Sequence, residues 1–177
     1  ARLDFSHAIS DKLNLQYGAT TTYHMFNPAL ITRAGYSDFR MNRSYALEHT
    51  IYFGSEQHLS KAITVNYGAR LTAFRNMGKT LQYHYDNNYD VSGATEYGSG
   101  KIYHTYIRPE FRAGLVYKLD DWSSVKANFT HNTQFIQIAN NSDSGSPLDL
   151  WFPASPNIKP QEANQYSVGY FRNFKEN

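Results

Sequence analysis

Residues Leu13-Asn14-Leu15-Gln16-Tyr17-Gly18-Ala19-Thr20-Thr21-Thr22-Tyr23 decide how the chain is read. Every second residue gives an apolar or weakly polar row: Leu13, Leu15, Tyr17, Ala19, Thr21 and Tyr23. The residues between them, with His24, give a polar row: Asn14, Gln16, Gly18, Thr20, Thr22 and His24. Strand side chains alternate between two faces, so this is a strand with one greasy face and one wet face. It outruns the usual globular strand of about five or six residues. A strand of about nine to eleven residues crosses a bilayer when tilted.

The same unit recurs on both sides of this stretch. Before it, Leu3, Phe5, His7 and Ile9 share a face, and Ser10-Asp11-Lys12 has the chemistry of a tight hairpin turn. After it, 25–42 has no period and reads as a long loop, holding Asn27-Pro28, Gly35, Phe26, Tyr36 and Phe39. A third strand is expected over 43–54, with Tyr45, Leu47, His49, Ile51 and Phe53 on one face, followed by a turn over 55–60. A fourth carries Ile63, Val65, Tyr67, Ala69, Leu71 and Ala73 against Thr64, Asn66, Gly68, Arg70 and Thr72. Residues 76–101 read as a second long loop, rich in Gly, Asn, Asp and Tyr.

A fifth strand spans 103–119, and Pro109 within it predicts a bulge, since proline removes a ladder donor. Asp120-Asp121-Trp122-Ser123 is a short turn. The sixth strand places Val125, Ala127, Phe129 and Phe135 on one side, with His131 and Thr133 diluting that face. A third long loop covers 140–163, and a seventh strand covers 164–174. Connections therefore alternate short and long, as in outer-membrane barrels with short periplasmic turns and long extracellular loops. No stretch shows a sustained helical period, and no fixed-period repeat is present.

Composition narrows the classes further. The chain has 177 residues, enough for one ordinary domain, and a net charge of +2, too small to argue for nucleic acid. With no cysteine it has no disulfide framework and no thiolate site. Aromatics reach 16%, led by 15 Tyr, a residue concentrated where one end is dry and the other wet. The mean hydropathy of -0.61 reads as that of a soluble protein, and it does not exclude a membrane barrel, whose lumen and loops are polar. No run of about eighteen apolar residues supplies a transmembrane helix. Bacterial barrels have even strand counts, and an open edge in lipid is forbidden, so either further strands lie outside this sequence or the sheet is not in lipid. Both ends read as truncations.

At 151–171 the chain resembles TonB-dependent outer-membrane receptors. The matching residues are Asn157, Ile158, Lys159, Pro160, Gln161, Tyr166, Gly169 and Tyr170, leading from a long loop into a late barrel strand, in a style closest to receptors of Bacteroidota. The resemblance implies a plugged 22-stranded barrel that imports a scarce nutrient, of the siderophore, cobalamin or glycan class. It implies outer-membrane lipid, the rest of the barrel, a plug domain, the TonB energy-transducing complex and a surface lipoprotein as partners. It implies no enzyme, cofactor or nucleic acid. The chain reads as one barrel segment over 1–177, without plug domain, TonB box or terminal aromatic. Lys159-Pro160 holds Ile158 extended, and Tyr166 and Tyr170 share one face.

Candidate ligand contacts are the loop aromatics Tyr83, Tyr85, Tyr89, Tyr97 and Trp151, suited to stacking on a sugar or siderophore. Packed loop or girdle aromatics serve equally well as a reading of them. The seven histidines lack metal-ligand spacing. The 142–146 stretch has too few carboxylates for a calcium loop. Arg70, Arg108, Glu110, Arg112 and Lys126 fall on polar rows and read as cross-strand ion pairs of a barrel wall. Glu48 and Glu110 have no fixed spacing for a catalytic pair. A soluble sandwich or barrel that binds carbohydrate is the alternative; it requires a second layer over the apolar rows.

Overall fold

The computed structural model describes residues 1–27, 43–139 and 150–174, and the backbone of 30–31 and 39–40. The first loop's Pro28, Gly35 and Tyr36 and the 142–146 stretch lie outside the described residues.

Seven strands form one antiparallel sheet: β1 (Arg2–Ser10), β2 (Leu13–Phe26), β5 (Ser44–His58), β6 (Ile63–Met77), β9 (Ile102–Lys118), β10 (Ser123–Gln134) and β13 (Gln161–Arg172). Three two-stranded sheets fill the longer connections: β3 (Leu30–Ile31) with β4 (Phe39–Arg40), β7 (Thr80–Tyr85) with β8 (Val91–Tyr97), and β11 (Ile136–Ala139) with β12 (Leu150–Pro153). Neighbours in the large sheet follow chain order, so it is an up-and-down meander. The connections alternate short and long as the sequence predicts. One end of the sheet is the turn end, the other the loop end.

Strand lengths decide what the sheet can cross. β5 and β6 each have 15 residues, or roughly 50 Å along the strand at about 3.4 Å per residue. Tilted by about 40°, such strands clear an apolar band about 25 Å tall with room for aromatics on both sides.

The burial pattern is the reverse of a water-soluble sheet. The odd-numbered row of β5, β6 and β9 is apolar and open: Ile51 is 61% exposed, Leu71 42%, Ile107 57% and Leu115 43%. Part of the polar row is covered: Thr50 is 3% exposed, Thr72 1%, Asn76 0% and Glu110 8%. Leu15 and Val65 are half-buried on the same open face by their strand neighbours. Among the described residues no second sheet lies over the apolar rows, and the sandwich alternative would need one.

Aromatics flank an aliphatic row on this outer face. Leu3, Ala19, Ile51, Leu71 and Pro109 lie side by side across five strands. Toward the turn end, Phe5 stacks on Tyr17 at 5.3 Å, and Phe53 meets Tyr67 at 6.0 Å. Toward the loop end, Tyr23 stacks on Tyr45 at 6.3 Å. Tyr side chains with dry bodies and wet tips favour these two levels.

Several expected boundaries shift. The strand expected to end at Gly54 runs to His58, so the turn is 59–62, and β2 runs past Tyr23 to Phe26. β13 occupies Gln161–Arg172, three residues earlier than expected at its start. Within 76–101, expected as a loop, β7 and β8 pair as a hairpin. Pro109 makes no bulge: it pairs in register with Leu71. Instead the β9–β10 ladder stops at Phe111–His131. Two steps further, the register would set Pro109, which has no N–H, opposite Thr133. The Glu110 carboxylate accepts the Thr133 N–H instead, at 2.9 Å. Phe135 also leaves its expected face. It follows the last residue of β10, is 6% exposed, and lies in the inner core.

Candidate functional site: the inner wall and its in-folded hairpin

The polar row forms a concave inner wall. Near the turn end, glycines let long side chains lie flat. Gly54 and Gly68 pair directly, and Arg112, from the next strand, lies across both. Gly18 leaves room for Tyr52, whose hydroxyl donates to Asp4 on β1. A cavity of about 690 Å³ opens here, lined by Asp4, Tyr52, Arg70, Glu110 and Arg112 among others. Arg70 meets Glu110 at 3.4 Å, and Arg108 reaches Glu162 on β13 at 2.8 Å. These are the cross-strand ion pairs that the sequence predicts for Arg70, Arg108 and Glu110. Lys126 instead sits over the Phe171 ring at 4.6 Å, and Arg112 has no acidic partner among the described residues.

Toward the loop end the wall is covered. The β11–β12 hairpin turns back onto it and packs against β2 and β5. Phe74 and Tyr106 of the wall form a small core with Phe135, Ala46 and Ala154, flanked by Phe26 and Ile136. Polar groups close the seam. Asn76 Nδ2 donates to the Ala154 carbonyl at 2.7 Å, and Tyr106 hydroxyl to the Ser155 carbonyl at 2.8 Å. Gln137 Nε2 donates to the Lys159 carbonyl at 2.8 Å. Buried backbone carbonyls need such partners, so side-chain bonds fix where the hairpin lies.

The predicted ligand residues do not converge. Tyr83 and Tyr85 share one face of β7–β8 with Leu81, and they are 44% and 48% exposed. Tyr97 lies on the other face, stacked on Tyr103 at 5.0 Å with the Lys101 ammonium over its ring. Tyr89 sits in the hairpin turn with φ 65° and is 87% exposed. Trp151 is elsewhere, on the in-folded hairpin, opposite Ile138 and exposed with it.

Of the motif residues, Asn157 and Lys159 bond to other segments. Asn157 Nδ2 donates to the Tyr83 carbonyl at 3.0 Å, tying the β7–β8 hairpin to the segment before β13. Lys159 contributes its backbone carbonyl, and Pro160 stands just before β13. Tyr166 packs on Phe129 at 5.0 Å, and Tyr170 is exposed on the outer row beside Val125. Gly169 faces inward opposite Lys126, with the Phe171 ring lying where its side chain would be.

Sequence reasoning missed Phe74, Asn76, Tyr106 and Gln137. One signal was present: Phe74 and Tyr106 are large aromatics on rows that are mostly polar. An aromatic there needs a cover. Among the described residues no group of three metal-ligating side chains occurs. At the turn end, the Asp120 carboxyl is held below its usual range. The cause is first the Ser123 hydroxyl and then the Trp122 N–H that it accepts.

A family model described as TonB dependent receptor-like, beta-barrel, matches residues 1–174. No curated protein and no solved structure gives a significant match to the chain.

Proposed function

Because the chain belongs to the TonB-dependent receptor β-barrel family, a family of outer-membrane transporters, we propose that it supplies seven adjacent wall strands of an importer. The cargo is a scarce nutrient of the siderophore, cobalamin or glycan class. The observation that carries the reading is the inverted burial: open Ile51, Leu71 and Ile107 outside, covered Thr50, Thr72 and Asn76 inside. Hydrocarbon is the solvent that makes this arrangement favourable.

The edges of β1 and β13 each have one partner in the sheet. Unpaired backbone groups are forbidden in lipid, so further barrel strands flank both. The 690 Å³ trough beside Arg70 and Arg112 faces the lumen, where the plug domain sits. The TonB complex acts through that plug. Above it, the exposed pair Trp151 and Ile138 offers cargo an apolar stacking surface held on a fixed hairpin. Tyr83, Tyr85 and Tyr89 stand farther out on β7–β8, positioned for cargo or a surface lipoprotein.

Spin labels test the reading in the full receptor in lipid. Labels at Leu15, Val65 and Phe111 should collide with a lipid-dissolved relaxant, while labels at Asn14, Asn66 and Glu110 should not. Equal collision for the two rows would defeat it.

A further inference from the structure

A second cavity, about 490 Å³, lies at the loop end of the outer face. It is lined by Arg43, Tyr45, Lys79, Thr80, Leu81 and Glu96. Tyr45 belongs to the outer row, paired with Met25 and Met77. The cavity therefore sits where the loop-end aromatics finish and the β7–β8 hairpin leaves the sheet. Arg43 is steadied by its Nε bond to Asn27 at 3.0 Å. A third cation, Arg75, stands on the same outer row between Leu47 and Thr105. Neither Lys79 nor Arg75 has an acidic partner among the described residues.

A cation on a lipid-facing row is unfavourable at mid-depth and becomes tolerable where its long stem reaches the headgroup level. Two cations around one cavity, with a third one strand pair below, make that level attractive to an anion. Glu96 is the one acidic group lining the cavity, so the charge there stays positive. Besides Thr80, the remaining wall is the Tyr45 ring and Leu81, which suits the neck of an acyl amphiphile and not a hydrated free ion.

We propose that this cavity binds the phosphate headgroup of an outer-leaflet lipid, with Arg43 and Lys79 contacting the phosphate and Arg75 reaching it from below. The proposal rests on the membrane reading above.

The test uses the full receptor in neutral detergent and native mass spectrometry. The probes are dioleoyl phosphatidic acid, dioleoyl phosphatidylcholine with the same chains, and inorganic phosphate. The receptor should retain phosphatidic acid in preference to phosphatidylcholine. Lys79→Gln should reduce that preference about five-fold, and Arg43→Gln with Lys79→Gln further, at about five-fold per charge. Lys12→Gln with Lys61→Gln, at the turn end, should leave it unchanged. An unchanged preference in Lys79→Gln, or an equal loss in the turn-end control, would overturn the proposal. So would displacement by inorganic phosphate, which would mark a free-phosphate site. Retention of neither lipid by the unmutated receptor would overturn the proposal, while the spin-label collisions above decide the membrane reading separately.

Discussion

Phe74 and Phe135 lie ring over ring, centroids 5.0 Å apart and planes within 7°, joining the wall strand β6 to the segment that folds back inside. Phe74 is fully buried and Phe135 is 6% exposed, so this pair is the centre of the seam. Truncating a buried Phe to Ala costs about 3–5 kcal/mol where the gap stays open. Phe135→Ala should release the β11–β12 hairpin while leaving the large sheet paired. Hydrogen exchange would show the amides of 136–139 losing protection and those of β5 and β6 keeping theirs. Loss of protection across β5 and β6 as well would mean that the hairpin supports the wall and is not merely fastened to it.

The hydrogen bonds across the same seam make a separate prediction. Asn76 is fully buried, and its Nδ2 satisfies the Ala154 carbonyl. Asn76→Leu keeps the volume and leaves that carbonyl unpaired, at a cost of about 1–3 kcal/mol. Proteolysis within 150–158 should speed up in the folded receptor. An unchanged cleavage rate would mean that the apolar core alone holds the hairpin.

Gly54 and Gly68 look equivalent under Arg112 but are not. A methyl at Gly54 would clash only with the Arg112 guanidinium, at 2.6 Å, the far end of a flexible side chain. A methyl at Gly68 would meet the Phe53 carbonyl oxygen, at 2.8 Å, which is backbone and does not yield. Gly54→Ala should therefore be nearly neutral, and Gly68→Ala should destabilise by about 1–3 kcal/mol. Arg112→Ala should not rescue Gly68→Ala. Thermal unfolding of the full receptor ranks the variants, and rescue by Arg112→Ala would contradict the backbone clash.

The alternation of wet and dry rows was legible because each row faces one solvent along its whole length. That gave the meander, the strand number and the turn and loop ends. Strand limits were less legible: Glu56, Gln57 and His58 are turn-like in composition, yet they pair in register with Asn66, Val65 and Thr64. The β7–β8 hairpin was hidden because its strands are short and sit in a segment rich in Asn, Gly and Tyr. Phe135 was misplaced because the row parity breaks where β10 gives way to β11, and nothing local announces that break. The site was legible only as a set of aromatics. Its assembly depends on Asn76, Tyr106 and Gln137 meeting backbone groups up to 78 positions away, and no local pattern encodes that.

At the turn end, Asp120 accepts from the Trp122 and Ser123 N–H groups and the Ser123 hydroxyl. Its folded pKa is lowered, so its contribution is present above the unfolded value and is lost as pH falls through the folded one. Exchange protection of the Trp122 and Ser123 amides should hold at neutral pH and fade below about pH 4. Asp120→Asn should weaken protection at neutral pH and remove that pH dependence. A pH dependence that survives Asp120→Asn would assign the effect to another group.

Depth along the outer face makes the last prediction. Leu71 lies in the aliphatic row between the two aromatic levels, while Tyr117 is next to last in β9, at the turn end. An arginine at the bilayer midplane of a barrel costs about 2–4 kcal/mol, and one near the interface about 0–1. Leu71→Arg should therefore destabilise the full receptor in lipid vesicles several-fold more than Tyr117→Arg, although both side chains are about equally exposed in the sheet. Water-exposed positions of matching exposure would respond alike. Equal unfolding free energies for the two variants, measured by denaturant titration in vesicles, would mean that the outer rows do not sit at graded depths in hydrocarbon.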